Sequence, residues 1–292
     1  MVLRYFQKGF NYSQDGPGNR LVYHLQGCNL HCPWCANPEG MSLTPPLMQK
    51  ASPLPDFVCP NGAVTADGSL DRSRCQDCAE HACLTSRRST YLVCPTKEVP
   101  VEAVFDEIQS CRSMFTDGGG VTFTGGEATL QLPALMELLP MLRKAGIHTA
   151  VETNATHPRL PELLPYLSLY IGDFKHYDAE TLHRVTGGNL AQIQKNLNAV
   201  AATQIPMLVR VLLVHHFNDD PSDIVGFLNA LKPLHQANSN LSVEFLTYHE
   251  YGKVKWEQCG LPYTMEDAFI QPETVAAFTR AFREAGIPVV RT

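Results

Sequence analysis

The sequence predicts an α/β fold in which six strand–helix units form either a partial (β/α)6 barrel or an open doubly wound sheet. Three observations carry that expectation. From residue 121 onward, short apolar runs alternate with longer segments of helical periodicity. Strand-then-helix repetition implies parallel strands with helices packed outside them. Six units are too few for a closed eight-stranded barrel. Residues 41–97 interrupt the pattern with a stretch rich in Pro and Cys.

The elements follow in order. Leu21–Leu25 is the first apolar strand and runs into a Cys-rich loop. Residues 41–97 lack long periodicity and read as a small insert held by ligands rather than by a core. The chain therefore divides into a barrel, 1–40 with 98–292, and the insert, 41–97. Val101–Met114 is helical, with Cys111 as a small core residue. Gly118–Gly120 precedes a strand rather than a helix, so it is a turn and not a phosphate loop. Val121–Thr124 is the second strand, and Leu132, Leu135, Met136, Leu139 and Leu142 follow at helical spacing. Then come a strand at Ile147–Val151, a helix at Pro161–Tyr166, a strand at Leu169–Asp173 and a helix at Leu190–Ala201. Met207–Val214, Ile224–Leu234, Ser242–Thr247 and Glu273–Ala285 complete the alternation. His215 and His216 end the fifth strand. Adjacent strand residues face opposite ways, which favours a structural role for them over a metal pair. Cys259 sits in a Gly/Pro loop and reads as a free thiol.

Composition narrows the class. The chain has 292 residues, 23 basic and 29 acidic, for a net charge of -6. That balance leaves no basic footprint for nucleic acid. An apolar fraction of 44% is ample for a core. No apolar run approaches the roughly 20 residues of a membrane span. The opening residues, MVLRYFQKGFNYSQDG, carry no apolar stretch or cleavage site of a secretory signal. The expectation is a cytoplasmic globular protein with neither nucleic-acid nor membrane partners. Of ten cysteines, eight lie between Cys28 and Cys94. Without a secretory signal, such density points to metal or cluster ligation rather than to disulfides.

The first cysteine group, Cys28, Cys32 and Cys35, has the spacing C-x3-C-x2-C directly after the first strand. Three thiolates can hold three irons of a cubane cluster. With no fourth cysteine nearby, one iron stays open for a substrate. A structural zinc site wants four ligands, and His31 would have to complete one here. The strand ends supply partners, because in barrels the site lies at the C-terminal ends of the strands. The second strand ends in Thr124-Gly125-Gly126-Glu127. Its glycines let backbone approach a ligand, and its carboxylate can accept from an ammonium. The third ends in Glu152-Thr153-Asn154 and the fourth in Asp173-Phe174-Lys175. The fifth carries Arg210 among Val and Leu, where a guanidinium needs an anionic partner, Asp173 being one candidate. The sixth ends in Thr247-Tyr248-His249-Glu250-Tyr251-Gly252.

The insert holds Cys59, Cys75-x2-Cys78-x4-Cys83 and Cys94-Pro95. Bacterial ferredoxins use runs ending in Cys-Pro whose last Cys serves the other cluster, and the insert is ferredoxin-like in that sense. Its cysteines suffice for one cluster. Cys75, Cys78 and Cys83 are three ligands, and either Cys59 or Cys94 is the fourth. A four-cysteine zinc site is the alternative.

C-x3-C-x2-C with Trp34 before the last cysteine resembles the signature of the radical S-adenosylmethionine (SAM) enzymes. Five segments are similar to the glycyl-radical-enzyme activating enzymes within that superfamily. They are Asp15–Arg20, Cys35–Glu39, Thr124–Ala128, Asp173–Lys175 and Tyr248–Lys253, in family order. The resemblance implies a partial (β/α)6 barrel with a ferredoxin-like Cys-rich insert. It implies a [4Fe-4S] cluster on Cys28, Cys32 and Cys35 that binds SAM, and an auxiliary [4Fe-4S] cluster in the insert. Trp34 would line the cluster and adenine pocket. Gly125, Gly126 and Glu127 would bind the SAM amino group, Lys175 and Arg210 its carboxylate and His249 its ribose. Glu152, Thr153 and Asp173 match the family's monovalent-cation site, although the family usually has Asp at position 152 and a Gly-x-Gly that is absent after Asn154. No side chain acts as a catalytic acid or base. The implied partners are a glycyl radical enzyme as protein substrate and a flavodoxin or ferredoxin as electron donor. The implied reaction, run anaerobically, removes a hydrogen atom from a backbone glycine of that partner. The alternative is radical-SAM chemistry on a small molecule or peptide.

Overall fold

The structure, a computed structural model, describes residues 1–51, 59–75, 78, 82–85 and 91–292. Parts of the insert, residues 52–58, 76–77, 79–81 and 86–90, lie outside the described residues. In chain order, β1 (Val2–Tyr12) and β2 (Asn19–Leu25) form an antiparallel pair. Within the insert come β3 (Met48–Gln49), α1 (Ala82–Thr85) and β4 (Leu92–Val93), with β3 and β4 paired antiparallel in a separate small sheet. Then follow β5 (Lys97–Pro100), α2 (Val101–Ser110), β6 (Gly120–Gly125), α3 (Leu132–Lys144), β7 (Thr149–Thr153) and β8 (Leu169–Asp173). The chain continues through α4 (Ala179–Thr186), α5 (Leu190–Ala202), β9 (Met207–Leu213), α6 (Pro221–Ala237), β10 (Leu241–Thr247), α7 (Lys253–Gln258) and α8 (Pro272–Glu284).

The main sheet has the order β10-β9-β8-β7-β6-β2-β1-β5. The six strands read from the sequence, β2 and β6 to β10, pair in parallel as one run. β1 and β5 extend it antiparallel and were not anticipated. β1 carries Arg4, Gln7 and Lys8 and no clean alternation, so its sequence lacks a strand's period. It is held instead by pairing and by Glu107, which takes Lys8 Nζ and the Tyr23 hydroxyl, the latter at 2.7 Å. The sheet does not close among the described residues, because β10 and β5 are its two ends.

The two faces of the sheet decide between the two candidate architectures. Apolar residues of α2, α3, α5, α6 and α8 join the outward residues of the strands in one core, which includes Val104, Leu139, Leu197, Phe227 and Phe278. The opposite face buries only Ala150, Ile171 and Leu208 as its own apolar cluster. That face also carries Arg20, Thr122, Glu152, Arg210 and Glu244. Helices on one face and a polar interior on the other make a partial barrel, not a doubly wound sheet.

Local signals account for the boundaries. Asp220 and Asp223 form a reciprocal capping box at the start of α6, with Pro221 in its first turn. Gly187, with a φ of 79°, closes α4 in the left-handed conformation. The helix expected at Pro161–Tyr166 is instead a 3-10 turn, Leu160–Tyr166. Pro161 and Pro165 each remove a backbone donor that a longer α-helix would need. Likewise α2 ends at Ser110, and Arg112–Met114 continues as a 3-10 turn.

Arg20 is the largest buried polar residue of the barrel interior. Its guanidinium donates to Thr122 Oγ1 at 2.8 Å and to the Val121 carbonyl at 2.8 Å, and lies 3.2 Å from His148 Nδ1. Burial, and then the Arg20 cation, push the His148 imidazole down from 6.5 to about 4. Its folded pKa lies below its unfolded one. The stabilisation from the neutral ring is therefore full above pH 6.5 and is lost as pH falls through about 4. His148→Gln is expected to flatten this acid-side loss, read from melting temperatures at a series of pH values. Parallel curves for the two proteins would contradict it.

Candidate functional site

A cavity of about 300 Å³ opens at the C-terminal ends of the parallel strands. The loop after β2 forms one wall and brings Cys28, Trp34 and Cys35 to it, together with Cys32. Main-chain bonds set that loop. Gly27 N donates to Gly40 O and Cys28 N to Met41 O, both at 2.9 Å, so the loop closes on itself. Gln26 Nε2 reaches Glu39 O at 2.9 Å and Ser42 O at 2.7 Å. From α7, Trp256 Nε1 donates to Cys35 O at 2.8 Å, and Lys255 Nζ lies 2.8 Å from Glu39 Oε1.

The turn after β6 packs beneath this loop. A Cβ on Gly126 would meet Gly27 O at 2.2 Å and Gly40 O at 2.4 Å, and one on Gly125 would meet Leu25 N at 2.1 Å. Only glycine permits this approach, and Gly125 also has a φ of +122°. Both glycines line the cavity, whereas Glu127 lies behind it. The Glu127 carboxylate accepts from Thr129 N at 2.9 Å, Thr153 Oγ1 at 2.6 Å and Asn154 N at 2.7 Å, and also from Thr129 Oγ1. Its oxygens are engaged within the protein. The polar groups that this turn presents to the cavity are therefore those of the glycine backbone, not the carboxylate acceptor expected at Glu127.

The cysteines are buried thiols. Burial pushes Cys28 and Cys32 up to about 12 and Cys35 to about 11. The nearest relief for thiolate charge at each is Lys175 or a backbone donor, such as Leu30 N at 3.4 Å from Cys28 Sγ. Three soft donors that stay protonated unless a cation arrives suit an iron cluster, which is held by thiolates. Among the described residues, the one donor trio converging within 4.8 Å is His215, His216 and Asp267. His31, the residue that would complete a zinc knuckle, is not among the cavity's lining residues.

The remaining predicted residues converge on the same cavity. Trp34 is buried against Phe217, ring centroids 4.6 Å apart. Lys175 pairs with Asp173. Burial opposes the Lys175 charge, but Asp173 and then the Cys32 thiol hold the ammonium well above its ordinary range. Arg210 does not pair with Asp173. It donates to Glu152 Oε1 at 2.7 Å and Glu244 Oε2 at 3.0 Å, with Asp15 at 3.8 Å. Burial opposes its charge too, and these carboxylates, Glu152 first, raise it. Glu152 also accepts from Thr124 Oγ1 at 3.0 Å. His249 stacks on Tyr251 at 4.2 Å between centroids. Glu152, Thr153 and Asp173 all line the cavity, each with a protein partner already.

Of the polar lining residues, sequence reasoning missed His24, and it quoted Asp15, Asn154 and Tyr248 within its segments without giving them a role. His24 was detectable, since it alternates with the core residues Tyr23 and Leu25 and so faces the interior. Its Nδ1 is buried without a partner among the described residues. Asn154 bonds Asn29 Oδ1 at 3.0 Å and lies 4.0 Å from Cys28 Sγ, a contact that only folding creates.

The insert cysteines separate into two kinds. Burial raises Cys75, and next Cys59 and Cys78 do; burial raises Cys83, and next Cys75, Cys59 and Cys78. Those four thiols therefore sit within one another's field. Cys94 is exposed and is not among the groups that raise Cys75 or Cys83. Cys259 is not a loop thiol. It is buried at the C-terminus of α7, and burial pushes it up to about 11.

The profile of the radical SAM superfamily matches residues 22–228. The chain is 31% identical over 266 residues to the choline trimethylamine-lyase activating enzyme of Oleidesulfovibrio alaskensis, covering 86% of this chain and 85% of that protein. It is 32% identical over 268 residues to the (2S)-3-sulfopropanediol sulfolyase activating enzyme of Bilophila wadsworthia, covering 86% and 87%. Among solved structures, a radical SAM methyltransferase from Sphaerobacter thermophilus aligns with a TM-score of 0.55 at 12% identity. That alignment covers 96% of this chain and 67% of the methyltransferase, and it concerns the fold alone.

The Glu127 arrangement makes a prediction. Glu127→Gln places an amide nitrogen against backbone and hydroxyl donors. It should lower unfolding stability by about 1–3 kcal/mol in urea titrations. An unchanged midpoint would show that these bonds do not hold the turn.

Proposed function

The chain belongs to the radical SAM superfamily and to its activating enzymes for glycyl radical enzymes, and from that premise we propose that it removes a hydrogen atom from a backbone glycine of a partner enzyme. The observation that carries the reading is the convergence of Cys28, Cys32, Cys35, the Gly125–Gly126 backbone, Lys175 and His249 on one cavity. When bound, the [4Fe-4S] cluster supplies the electron that splits SAM into methionine and a 5′-deoxyadenosyl radical.

The protein's own residues bind and position. Cys28, Cys32 and Cys35 would hold the cluster as thiolates. The main chain of Gly125 and Gly126 would take the SAM amino group, while Glu127 keeps that turn in place from behind. Lys175 and Arg210 would face the SAM carboxylate, exchanging part of their contact with Asp173 and Glu152 for it. His249 would take the ribose, and Trp34 would bound the adenine pocket. The interior wall would shield the reactive carbon from water once SAM and the partner's loop are bound, which is the protein's share of such chemistry. No side chain would act as a catalytic acid or base. A monovalent cation at Glu152, Thr153 and Asp173 would require these groups to exchange Arg210, Glu127 and Lys175 for it.

In the insert, residues 41–97, Cys59, Cys75, Cys78 and Cys83 would carry an auxiliary [4Fe-4S] cluster, their mutual proximity supporting Cys59 over Cys94 as the fourth ligand. A flavodoxin or ferredoxin would deliver the electron, in the anaerobic cytoplasm. No helix among the described residues is long and apolar enough to cross a membrane.

Anaerobic mixing of the reconstituted enzyme, SAM and a reductant with a glycyl radical enzyme should give a glycyl radical signal by electron paramagnetic resonance. Cleavage of SAM with no such signal on any candidate partner would redirect the reading to a small-molecule or peptide substrate. Cys32→Ala should abolish SAM cleavage, measured as 5′-deoxyadenosine formed, and persistent cleavage would refute the ligand assignment. Iron analysis should give about eight irons per chain, from two four-iron clusters. Cys59→Ala should lose about half of them and Cys94→Ala none. The reverse result would make Cys94 the ligand.

A further inference from the structure

His215 and His216 do not lie on a strand, contrary to the sequence expectation, because β9 ends at Leu213. The chain turns after Val214, and this reorients both imidazoles. Val214 N donates to Asn218 Oδ1 at 2.8 Å, and Asn218 Nδ2 donates back to Leu212 O at 2.8 Å. Asn218 is fully buried, so the turn has a rigid base. His216 takes a φ of +64°, uncommon for a residue with a Cβ. The two rings then stand side by side, centroids 3.7 Å apart, instead of on opposite faces.

A second segment meets this turn. His215 N donates to Ala268 O at 3.1 Å, which places Asp267 against the histidines. Asp267 Oδ2 lies 3.6 Å from His216 Nε2, and Asp267 too has a positive φ, +44°. One donor atom each from His215, His216 and Asp267 falls within 4.8 Å of the others. Asp219 holds His215 from the other side, its Oδ2 2.5 Å from His215 Nδ1, while its Oδ1 accepts from His216 N at 3.0 Å. A carboxylate on Nδ1 fixes the ring and leaves Nε2 as the outward donor, which is how metal-binding histidines are usually oriented.

We propose that His215, His216 and Asp267 bind a divalent transition ion of the zinc type, with Asp219 orienting His215 from behind. Two imidazoles and one carboxylate are a borderline donor set suited to Zn²⁺, and three protein ligands leave a fourth position for water. Cysteine thiolates also bind Zn²⁺, so the cysteine sites must be filled with iron when this site is tested. The ion would staple the loop after β9 to the segment bearing Ala268, which packs with Trp34, Cys32 and Tyr248 in the wall of the SAM cavity. It would thus stiffen one rim of that cavity. The site stands independently of which substrate the enzyme uses.

The test uses the full chain with its iron clusters reconstituted, titrated anaerobically with Zn²⁺ and followed by zinc X-ray absorption. One zinc per chain is expected, with nitrogen and oxygen neighbours at about 2.0–2.2 Å and no sulfur shell near ~2.3 Å. H216A and D267N, both at exposed positions, should each weaken binding at least tenfold, an order-of-magnitude expectation for loss of a direct ligand. D219N should weaken it by about tenfold to a hundredfold, as loss of an orienting partner does. Zinc should raise the melting temperature of the wild type but not of H216A. A sulfur shell, or equal affinity in wild type, H216A and D267N, would overturn the proposal and leave an ordinary surface ion-pair cluster.

Discussion

One buried carboxylate holds the candidate site together. Glu127 gathers Thr129, Thr153 and Asn154, and its own N–H donates to Gly27 O at 2.7 Å. Those contacts join the turn after β6, the end of β7 and the start of the cysteine loop. Without that knot three separate strand ends would each keep their own loop conformation. A buried carboxylate is tolerable only when its lone pairs are filled, and here backbone and hydroxyl donors fill them. The same requirement explains the adjacent glycines, since any side chain on Gly126 would push the cysteine loop off the turn.

Each cation lining the cavity lies against one or more carboxylates rather than as a free ion. Arg210 sits between Glu152 and Glu244, and Lys175 beside Asp173. An unpaired charge at this depth would cost several kcal/mol, and each of these cations accordingly lies against a carboxylate. A zwitterionic ligand can enter such a site by exchanging partners, its carboxylate taking over cations that the protein's acids now hold. The buried thiols follow the same logic. They stay protonated until a metal group supplies the positive charge that makes thiolates stable.

The two cysteine regions are linked mechanically by α7. Trp256 binds the carbonyl of Cys35, while Arg72, three residues before Cys75, donates to Gln258 O at 2.8 Å at the other end of that helix. Lys50 of the insert reaches Gln258 Oε1 at 2.9 Å. A short helix thus ties the described part of the insert to the barrel's cysteine loop. Cys259 lies buried at its end, near Arg72 and Glu39. This packing makes it part of the joint rather than a loop thiol.

The sequence by itself determined the six parallel strands, the cysteine triad and most of the cavity's lining. These are local patterns: a period of two or 3.6, a ligand spacing, a polar group at a strand's end. Tertiary structure decided the rest, for physical reasons tied to pairing across the chain. β1 and β5 have no apolar period and exist as strands only because neighbours complete their hydrogen bonds. Which face the helices cover separated a partial barrel from a doubly wound sheet. Arg210 lies in register with both Asp173 and Glu244 on the strands beside it, yet its guanidinium reaches Glu244 and, one strand further, Glu152, while Asp173 takes Lys175, a choice made only by side-chain packing across the barrel interior. Glu127 turned inward because donors 26 and 27 residues later fold onto it. Adjacent histidines that a strand would have separated were brought side by side by one left-handed residue. Spacing along the chain can announce which groups are present, but their mutual distances are set only when strands far apart in sequence are packed.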